Sequence, residues 1–435
     1  MAVIIVERPK KRTDGTRERV LEAGHHGWYR FLPRMTGRRL AVIVLYVSIV
    51  VLSTLQRGVL DRSHTTFPIF RQSYHHLVAG RDLYARYPTE QGKGDADRFK
   101  YSPTSALLFG PFALPPLPLG LLLWNAFNVL ILFLAVDRLL PRRSATWALL
   151  IIAPATLNAV QSSSSNALMA GLLVLSFISL ERGQQFSGAF AIAVGALIKL
   201  FPLAGVSFAF LRPQPLRFAG FLVIALVALA SLPLLVTTPH ELIAQYGYWR
   251  TILTSDAVDL SFGLSMMRML RMGFDANFAN WPLQLTGTLL LLLPVALHRR
   301  HGTDPQFRRN FLCSVLVYTV LFNHQAEHQS FVIASVGLAV WYVTAKRTGW
   351  RTALLVLCVA GLDTIPYLMV WLTMQVELLN GPSVRAALAH RDRRNAGRPP
   401  KVFEHSHIFT IEATRSPSST PSTISIPSTT SPNTV

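Results

Sequence analysis

Charge is the scarcest feature of this sequence. Only 15% of its 435 residues are Asp, Glu, Lys or Arg, against about 25% in ordinary soluble domains. That is too little polar surface to cover a water-soluble particle of this size. Cysteine is scarcer still. Cys313 and Cys358 each sit inside an apolar run, which excludes a disulfide framework or a cysteine-bound zinc cluster. Acidic residues number 22 against 42 Lys and Arg, a net charge of +20. The chain shows no internal repeat. It opens without a short apolar core and small-residue cleavage site, so no signal peptide is expected. What is abundant is apolar: 51% of the residues are hydrophobic, gathered into repeated runs of membrane-crossing length. In a soluble protein a charge of +20 would suggest nucleic acid. Here the basic residues cluster in a few segments between apolar runs. Cytoplasmic loops facing anionic membrane lipid account for them, and no nucleic-acid partner is expected.

Residues 1–38 form a basic segment (KKRTDGTRER, then RMTGRR) ahead of the first apolar run, Leu40–Leu55. Its flank is expected in the cytoplasm. Residues 61–102 are a long polar loop with seven Lys or Arg against five Asp or Glu, interleaved with aromatics. The piece 103–116 is too short to cross and is laced with proline, so it reads as a half-helix at the interface. Leu117–Val136 is a full span, and Arg138, Arg142 and Arg143 mark its return to the cytoplasm. Trp147–Ala159 and Ala167–Leu180 read as two spans joined by the polar turn QSSSSN, 161–166.

Residues 187–211 hold Lys199 and Pro202 at their centre. A single straight span there would put Arg212, Arg217 and the basic loop HRRHGTDPQFRR (298–309) outside, against the positive-inside rule. Two short helices, 187–198 and 202–211, forming a hairpin with Lys199 near its tip, restore that rule. Phe218–Val236 then leads out, 237–281 lies outside, Pro282–Leu297 leads in, and Phe311–Phe322 leads out again. The turn NHQAEHQ (323–329) lies outside and Phe331–Thr344 returns. Residues 352–379, broken at Asp363–Pro366, form either one long span or a second hairpin. The basic segment HRDRRNAGRPPK that follows favours the hairpin. The expectation is an all-α polytopic membrane protein of about 8–12 membrane helices, some of them short and non-spanning. The membrane domain covers 39–380. A basic, then Ser/Thr/Pro-rich tail covers 381–435, its last part without any packing signal.

The outer loops 61–102, 161–166, 237–281 and 323–329 gather most of the unusual polar residues on one face. Such a composite site suits an enzyme whose donor is a lipid, with the head at the loops and the tail in hydrocarbon. A transporter or lipid flippase would also need buried charge and broken helices, but two related halves, common in such proteins, are absent from the sequence.

The pieces FRQSYHHLVAGRDLY (70–84), FKYSPTSALLFGPFALPP (99–116), LLLWNAFNVL (121–130), SNALMAGLLVLSFISLERG (165–183), GALIKLFPL (195–203) and FNHQAEHQSFVIA (322–334) resemble glycosyltransferase family 87. These are GT-C-type membrane enzymes related to polyprenol-phosphate-mannose-dependent mannosyltransferases. The resemblance runs from about 40 to 345, about 70% of the chain. It implies a GT-C-like helical bundle in the cell (inner) membrane. It also implies inverting transfer of a sugar, mannose first among them, from a polyprenyl-phosphate carrier to a lipid or glycan hydroxyl on the extracytoplasmic face. A carboxylate in the first outer loop would be the general base. The leaving phosphate is already ionised and needs electrostatic stabilisation rather than an acid. No cofactor or metal is implied. Where the family carries an Asp before the aromatic segment of that loop, this chain reads Thr65-Thr66-Phe67. A chain that had lost its base would be a non-catalytic relative of the same fold.

The base candidates are therefore Asp61, Asp82 and, in reserve, Glu327. Asp61 also reads as a solvated charge at a helix end, and Asp82 as a cap of the turn before Leu83. Asp95 and Asp97 lie in a Gly-rich stretch and read as solvated. Lys199 in an apolar run costs about 2.5–3.5 kcal/mol on insertion scales, so it reads as a phosphate ligand, with snorkelling to an interface as the alternative. Arg71 and Arg81 are candidate phosphate clamps. His324 is a candidate phosphate or sugar contact, and Gln161 and Asn166 candidates for sugar hydroxyls, though Asn166 also suits a helix cap. Tyr101 and Trp249 are candidates for stacking on sugar. His75-His76 lacks a matching acid at ligand spacing, so no metal site is expected.

Overall fold

The computed structural model describes residues 37–60, 66–87, 98–256, 264–274, 279–298, 302–361 and 364–380. All of them fall within one structural unit. Most of the basic N-terminal segment, the tail from 381, Asp61, Asp95, Asp97 and Asp363 lie outside the described residues. Among the described residues every regular element is helical. In chain order these are α1 (Gly37–Leu55, prolonged by a π-helical turn Gln56–Leu60), α2 (Phe67–Val78), α3 (Pro103–Leu108), α4 (Gly110–Ala113), α5 (Leu117–Leu139), α6 (Arg142–Gln161), α7 (Asn166–Glu181) and α8 (Gln185–Ile198). A 3-10 arm (Phe201–Leu211) follows, then α9 (Pro215–Ser231), α10 (Pro239–Asp256), α11 (Met266–Phe274), α12 (Asn280–Leu297), α13 (Pro305–Leu321), α14 (Phe331–Thr344), α15 (Gly349–Val359) and α16 (Thr364–Leu379).

Among the described residues, five helices are long and apolar enough to cross a membrane: Gly37–Leu60, Leu117–Leu139, Arg142–Gln161, Pro215–Leu235 and Asn280–Leu297. The protein is a multi-pass membrane protein. Several helices start on a proline in their first turn, among them α2, α3, α5, α9 and α13. The missing N–H falls where the helix has no acceptor to offer it. Side-chain caps complete two of these starts: Ser102 accepts from Ser105 N, and Asp304 accepts from Gln306 N. The expected half-helix 103–116 is instead two short helices that part at Phe109, where Gly110 and Pro111 begin a new turn. The loop 237–281 carries α10 and α11.

α7 is apolar all round and lies in the centre of the bundle, as such helices must. It approaches α5 closely at Gly171, where a Cβ would stand 3.0 Å from Leu132 N. α9, by contrast, leaves Leu216, Val223, Ile224 and Val227 exposed towards the lipid side.

Glu181, at the end of α7, decides the path of the next segment. Arg308 grips it with Nε 2.7 Å from Oε1 and Nη2 2.8 Å from Oε2, and Arg212 Nη2 lies 2.5 Å from Oε1. The start of α8, the end of the 3-10 arm and the α12–α13 turn therefore share one face. α8 and the arm form a hairpin with Lys199 at its tip. Fourteen α-helical residues rise about 21 Å, and eleven 3-10 residues rise about 22 Å. The tighter helix thus lets a shorter segment return to the starting face. Gly195 closes the hairpin, since a Cβ there would stand 2.9 Å from the Pro202 Cβ. The observed arms, 185–198 and 201–211, agree with the expected 187–198 and 202–211.

Residues 349–379 form a second hairpin rather than one long span. Its ends meet where Arg351 pairs with Glu377. Glu377 also accepts from Trp341 Nε1 at 3.0 Å, and the Arg351 guanidinium sits 4.6 Å over the Trp341 ring. His298 Nε2 lies 2.6 Å from Leu379 O on the same face. At the other end Thr364 Oγ1 donates to Leu264 O at 2.6 Å. Arg39 pairs with Asp137 at 2.8 Å, which puts the start of α1 and the end of α5 together. The chain thus alternates between a basic face and an opposite, polar one.

Two measurements check this topology. In a background without Cys313 and Cys358, single cysteines at 214 and 303 should react with a membrane-impermeant reagent from the same side as one at 142. Labelling of either from the opposite side would break the hairpin. Gly195→Leu should overpack the hairpin and destabilise the protein by roughly 1–3 kcal/mol, seen as a lower thermal midpoint in detergent.

Candidate active site

The polar face is organised around the turn between α6 and α7. Four serines occupy 162–165, and Ser163 takes a positive φ of 52°, a strained conformation for a residue with a Cβ. Surrounding bonds hold it there. Ser163 O accepts from Trp124 Nε1 at 2.8 Å, and Thr66 donates through N and Oγ1 to Ser162 O at 3.2 and 3.0 Å. The turn, expected as a small polar turn on the outer side, is buried: Ser163, Ser165 and Asn166 are each 0% exposed. Ser163 Oγ, Ser165 Oγ and Asn166 Nδ2 make no hydrogen bond to the described residues. Buried polar groups are normally satisfied, so these three groups keep hydrogen-bonding capacity for a further polar partner.

Lys199 reaches the same turn. It ends α8 in an extended conformation, and its Nζ donates to Asn166 Oδ1 at 2.8 Å. The ammonium lies 5.8 Å from the Tyr101 ring centre and 5.7 Å from that of Phe201. Such cation–π contacts partly compensate a desolvated ammonium. Ser102 fixes the approach of this segment, donating through Oγ to Leu197 O while capping α3. Tyr101 stacks on Phe70 at 4.8 Å, and its carbonyl accepts from Tyr84 Oη at 2.8 Å. One face of Tyr101 is thus taken by Phe70.

Glu327 lies within electrostatic reach of Lys199. It is exposed and caps the 3-10 turn His328–Ser330, its carboxylate accepting from the Ser330 backbone and the Gln329 side chain. The turn is tied to the bundle by Leu264 N, which donates to Ala326 O at 2.6 Å. His324 sits half-buried in the same turn.

Asp82 is otherwise engaged. Its Oδ1 accepts from Tyr84 N at 2.8 Å, the capping role, and its carbonyl accepts from Tyr87 Oη at 2.9 Å. Gln245 of α10 clamps the same turn, accepting from Leu83 N at 3.1 Å and donating to Arg81 O at 2.9 Å. Burial and the nearby Asp82 carboxylate raise the Tyr84 phenol well above its usual range, so it stays a neutral donor. Arg71 donates through Nε to Ala113 O at 3.0 Å and so closes the end of α4. Arg81 is exposed. Gln161 donates to Gln56 Oε1 at 3.2 Å. Trp249 Nε1 donates to Lys100 O at 3.1 Å, so its indole holds the 98–101 segment. His75 is exposed, while His76 packs its ring 4.0 Å from that of Tyr87. Among the described residues, no group of three or more His, Cys, Asp and Glu is placed to hold a metal ion. Asp61 lies outside the described residues. Gln56 and Thr66, on either side of it in sequence, are both bonded to residues 161–163.

The structure therefore unites Tyr101, Asn166 and Lys199, with Glu327 in electrostatic reach. It gives Arg71, Asp82 and Trp249 bonds to backbone. Sequence reasoning missed Ser102, Ser163 and Ser165. Ser102 had a signal, a serine directly before proline at a helix start. The buried serines had none, because a run of serines between helices reads as a solvated turn. Lys199 has three N–H donors and gives one to Asn166, so the ammonium can also receive an anionic oxygen.

The model of glycosyltransferase family 87 matches residues 99–323, just over half of the chain. No curated protein matches. Solved structures are similar as well, two among them. One is a crystal structure of ArnT from Cupriavidus metallidurans bound to undecaprenyl phosphate, at 13% identity and a TM-score of 0.43, covering 81% of this chain and 73% of that one. The other is the apo crystal structure of an Archaeoglobus fulgidus oligosaccharyltransferase, at 12% identity and a TM-score of 0.35, covering 81% of this chain and 56% of that one.

The Asp82 geometry makes a clear prediction. Asp82→Asn keeps an acceptor for Tyr84 N and should leave turnover and melting close to wild type. Asp82→Ala should cost about 1 kcal/mol of stability. A general base at this position would instead make both variants lose about 100-fold or more in kcat.

Proposed function

We propose, on the premise that this chain belongs to glycosyltransferase family 87, that it moves a sugar from a polyprenyl-phosphate carrier to a lipid or glycan hydroxyl at the Lys199–Asn166 pocket. Membership makes it a membrane glycosyltransferase. The proposal adds a prenyl-phosphate donor, mannose as the first sugar to test, and an extracytoplasmic site in the cell membrane. One observation carries this reading. A lysine at the tip of a non-crossing hairpin gives one bond to a buried asparagine and adjoins buried serine hydroxyls that lack partners among the described residues. A phosphate diester carried by an apolar tail suits that combination of ammonium, hydroxyls and lipid-embedded walls.

In this reading Lys199 holds the phosphate oxygens and stabilises the charge that grows on them as the bond to the anomeric carbon breaks. Buried dipoles do this well because they are already oriented. Asn166 positions Lys199, and its Nδ2 with Ser163 and Ser165 offers contacts to phosphate or sugar oxygens. A carboxylate takes the proton of the acceptor hydroxyl as its oxygen attacks from the opposite side of the sugar, which inverts the anomeric centre. Glu327 is the described carboxylate facing Lys199 and is assigned that role. Asp61 is the alternative, since Gln56 and Thr66 both bond to the turn beside Asn166. The leaving phosphate is already ionised, so the step requires no general acid. The basic face, with Arg212 and Arg308, is assigned to the cytoplasm by the positive-inside rule.

The test is transfer of radiolabelled sugar from polyprenyl-phosphate donors by membranes carrying the protein. Lys199→Ala should lower kcat/KM by about 100-fold or more, with Lys199→Arg retaining part of the activity. Glu327→Gln should lower kcat by about 100-fold or more. If Asp61→Asn does so while Glu327→Gln does not, the base is Asp61. Full turnover in Lys199→Ala, or consumption of a soluble nucleotide sugar in place of the prenyl donor, would overturn the proposal.

A further inference from the structure

On the basic face, away from the Lys199 pocket, a cavity of about 830 Å³ opens between the end of the 3-10 arm, the start of α9 and the α12–α13 turn. Its walls are apolar, with Phe210 and Leu211 from the arm and Leu292 and Val295 from α12. Its polar lining includes Arg212 and Arg308. The two arginines are not equivalent. Arg308 is committed through all three of its nitrogens: Nε and Nη2 go to the Glu181 carboxylate, and Nη1 donates to Gly302 O at 2.8 Å. Arg212 approaches Glu181 through one nitrogen, Nη2. A guanidinium carries five N–H donors, so Arg212 has capacity left beside the cavity. Two cations share one carboxylate, which leaves the cluster one positive charge in excess.

The walls identify the guest that would balance that charge. A free anion would gain nothing from Phe210, Leu292 and Val295. Phe210 is exposed, as are Leu293 and Leu297 on the neighbouring stretch of α12, so the cavity lies beside surface that faces lipid. Basic pockets between membrane helices suit acidic lipid head groups. We infer that this cavity binds an anionic glycerophospholipid of the leaflet on the basic face, with its phosphodiester on Arg212 and an acyl chain along Phe210 and Leu292. The site is distinct from the donor pocket, because α8 and the 3-10 arm separate Lys199 from Arg212 by about 20 Å of helix. The lipid would sit against the closing end of the hairpin whose tip carries Lys199, and so brace the hairpin from the side away from the chemistry.

The test uses the full-length protein, delipidated in detergent and then supplied with phosphatidylglycerol, phosphatidylcholine or inorganic phosphate. Native mass spectrometry and the thermal midpoint are the readouts. Phosphatidylglycerol should remain bound and raise the midpoint, whereas phosphatidylcholine and phosphate should not. Arg212→Gln, which leaves the Arg308–Glu181 pair in place, should weaken phosphatidylglycerol binding about tenfold, and Arg212→Lys should recover part of it. Leu292→Trp, which fills the apolar wall, should weaken binding with Arg212 intact and keeps the inference testable if Arg212→Gln folds poorly. Equal binding of the two lipids, unchanged binding in Arg212→Gln and Leu292→Trp, or a full midpoint shift with phosphate alone would overturn it.

Discussion

One carboxylate sets the geometry on which the rest depends. Glu181 closes α7 and receives Arg308 in a bidentate pair and Arg212 at 2.5 Å. Because both arginines must reach the same two oxygens, the segment between 185 and 211 has to leave a face and come back to it. A crossing helix there would strand Arg212 on the far side. The return is possible only if the two arms match in height, and the change from α to 3-10 geometry after Lys199 supplies the match. A partly buried, bidentate arginine–carboxylate pair is far more directional than a surface ion pair, which is why it can fix a topology.

That constraint also places Lys199. An ammonium cannot rest among apolar side chains without partners, and the hairpin delivers it to the level where α7 begins. There Asn166, with its side chain fully buried, is both helix start and acceptor. The same position brings Lys199 near the rings of Tyr101 and Phe201. The site is thus an outcome of packing: α3 is capped by Ser102, Ser102 bonds Leu197 O, and Leu197 lies two residues before Lys199. The serine hydroxyls without partners among the described residues and the positive φ at Ser163 are costs the fold carries beside Lys199.

The carboxylates show how one residue type divides into different roles. Asp82 is consumed by a backbone amide two residues on, the commonest use of an aspartate in a turn. Glu327 caps a short turn as well, yet it is exposed and interacts with Lys199 across the pocket. The difference lies in which element each turn packs against. The Asp82 turn is clamped by Gln245 of α10, while the Glu327 turn packs beside the end of α6 and faces the hairpin tip.

Much of this was legible in the sequence. Scarce charge and long apolar runs fixed the class, and the uneven placement of arginines was enough to infer both hairpins, because a charged loop can lie only at a membrane face. Asn166 and Lys199 could be singled out separately, as a polar residue at a helix start and a cation in an apolar run. Their bond could not, since they stand 33 residues apart and no local period relates them. Nor could the burial of Ser163 and Ser165, because a serine turn has the same composition whether water or a neighbouring helix covers it. The sequence by itself determined the number of faces and which segments reach them, through the cost of charge in hydrocarbon. Only the tertiary structure decided which polar groups meet, because hydrogen bonds between distant segments depend on helix length, tilt and close approach, and none of these is written in residue type alone.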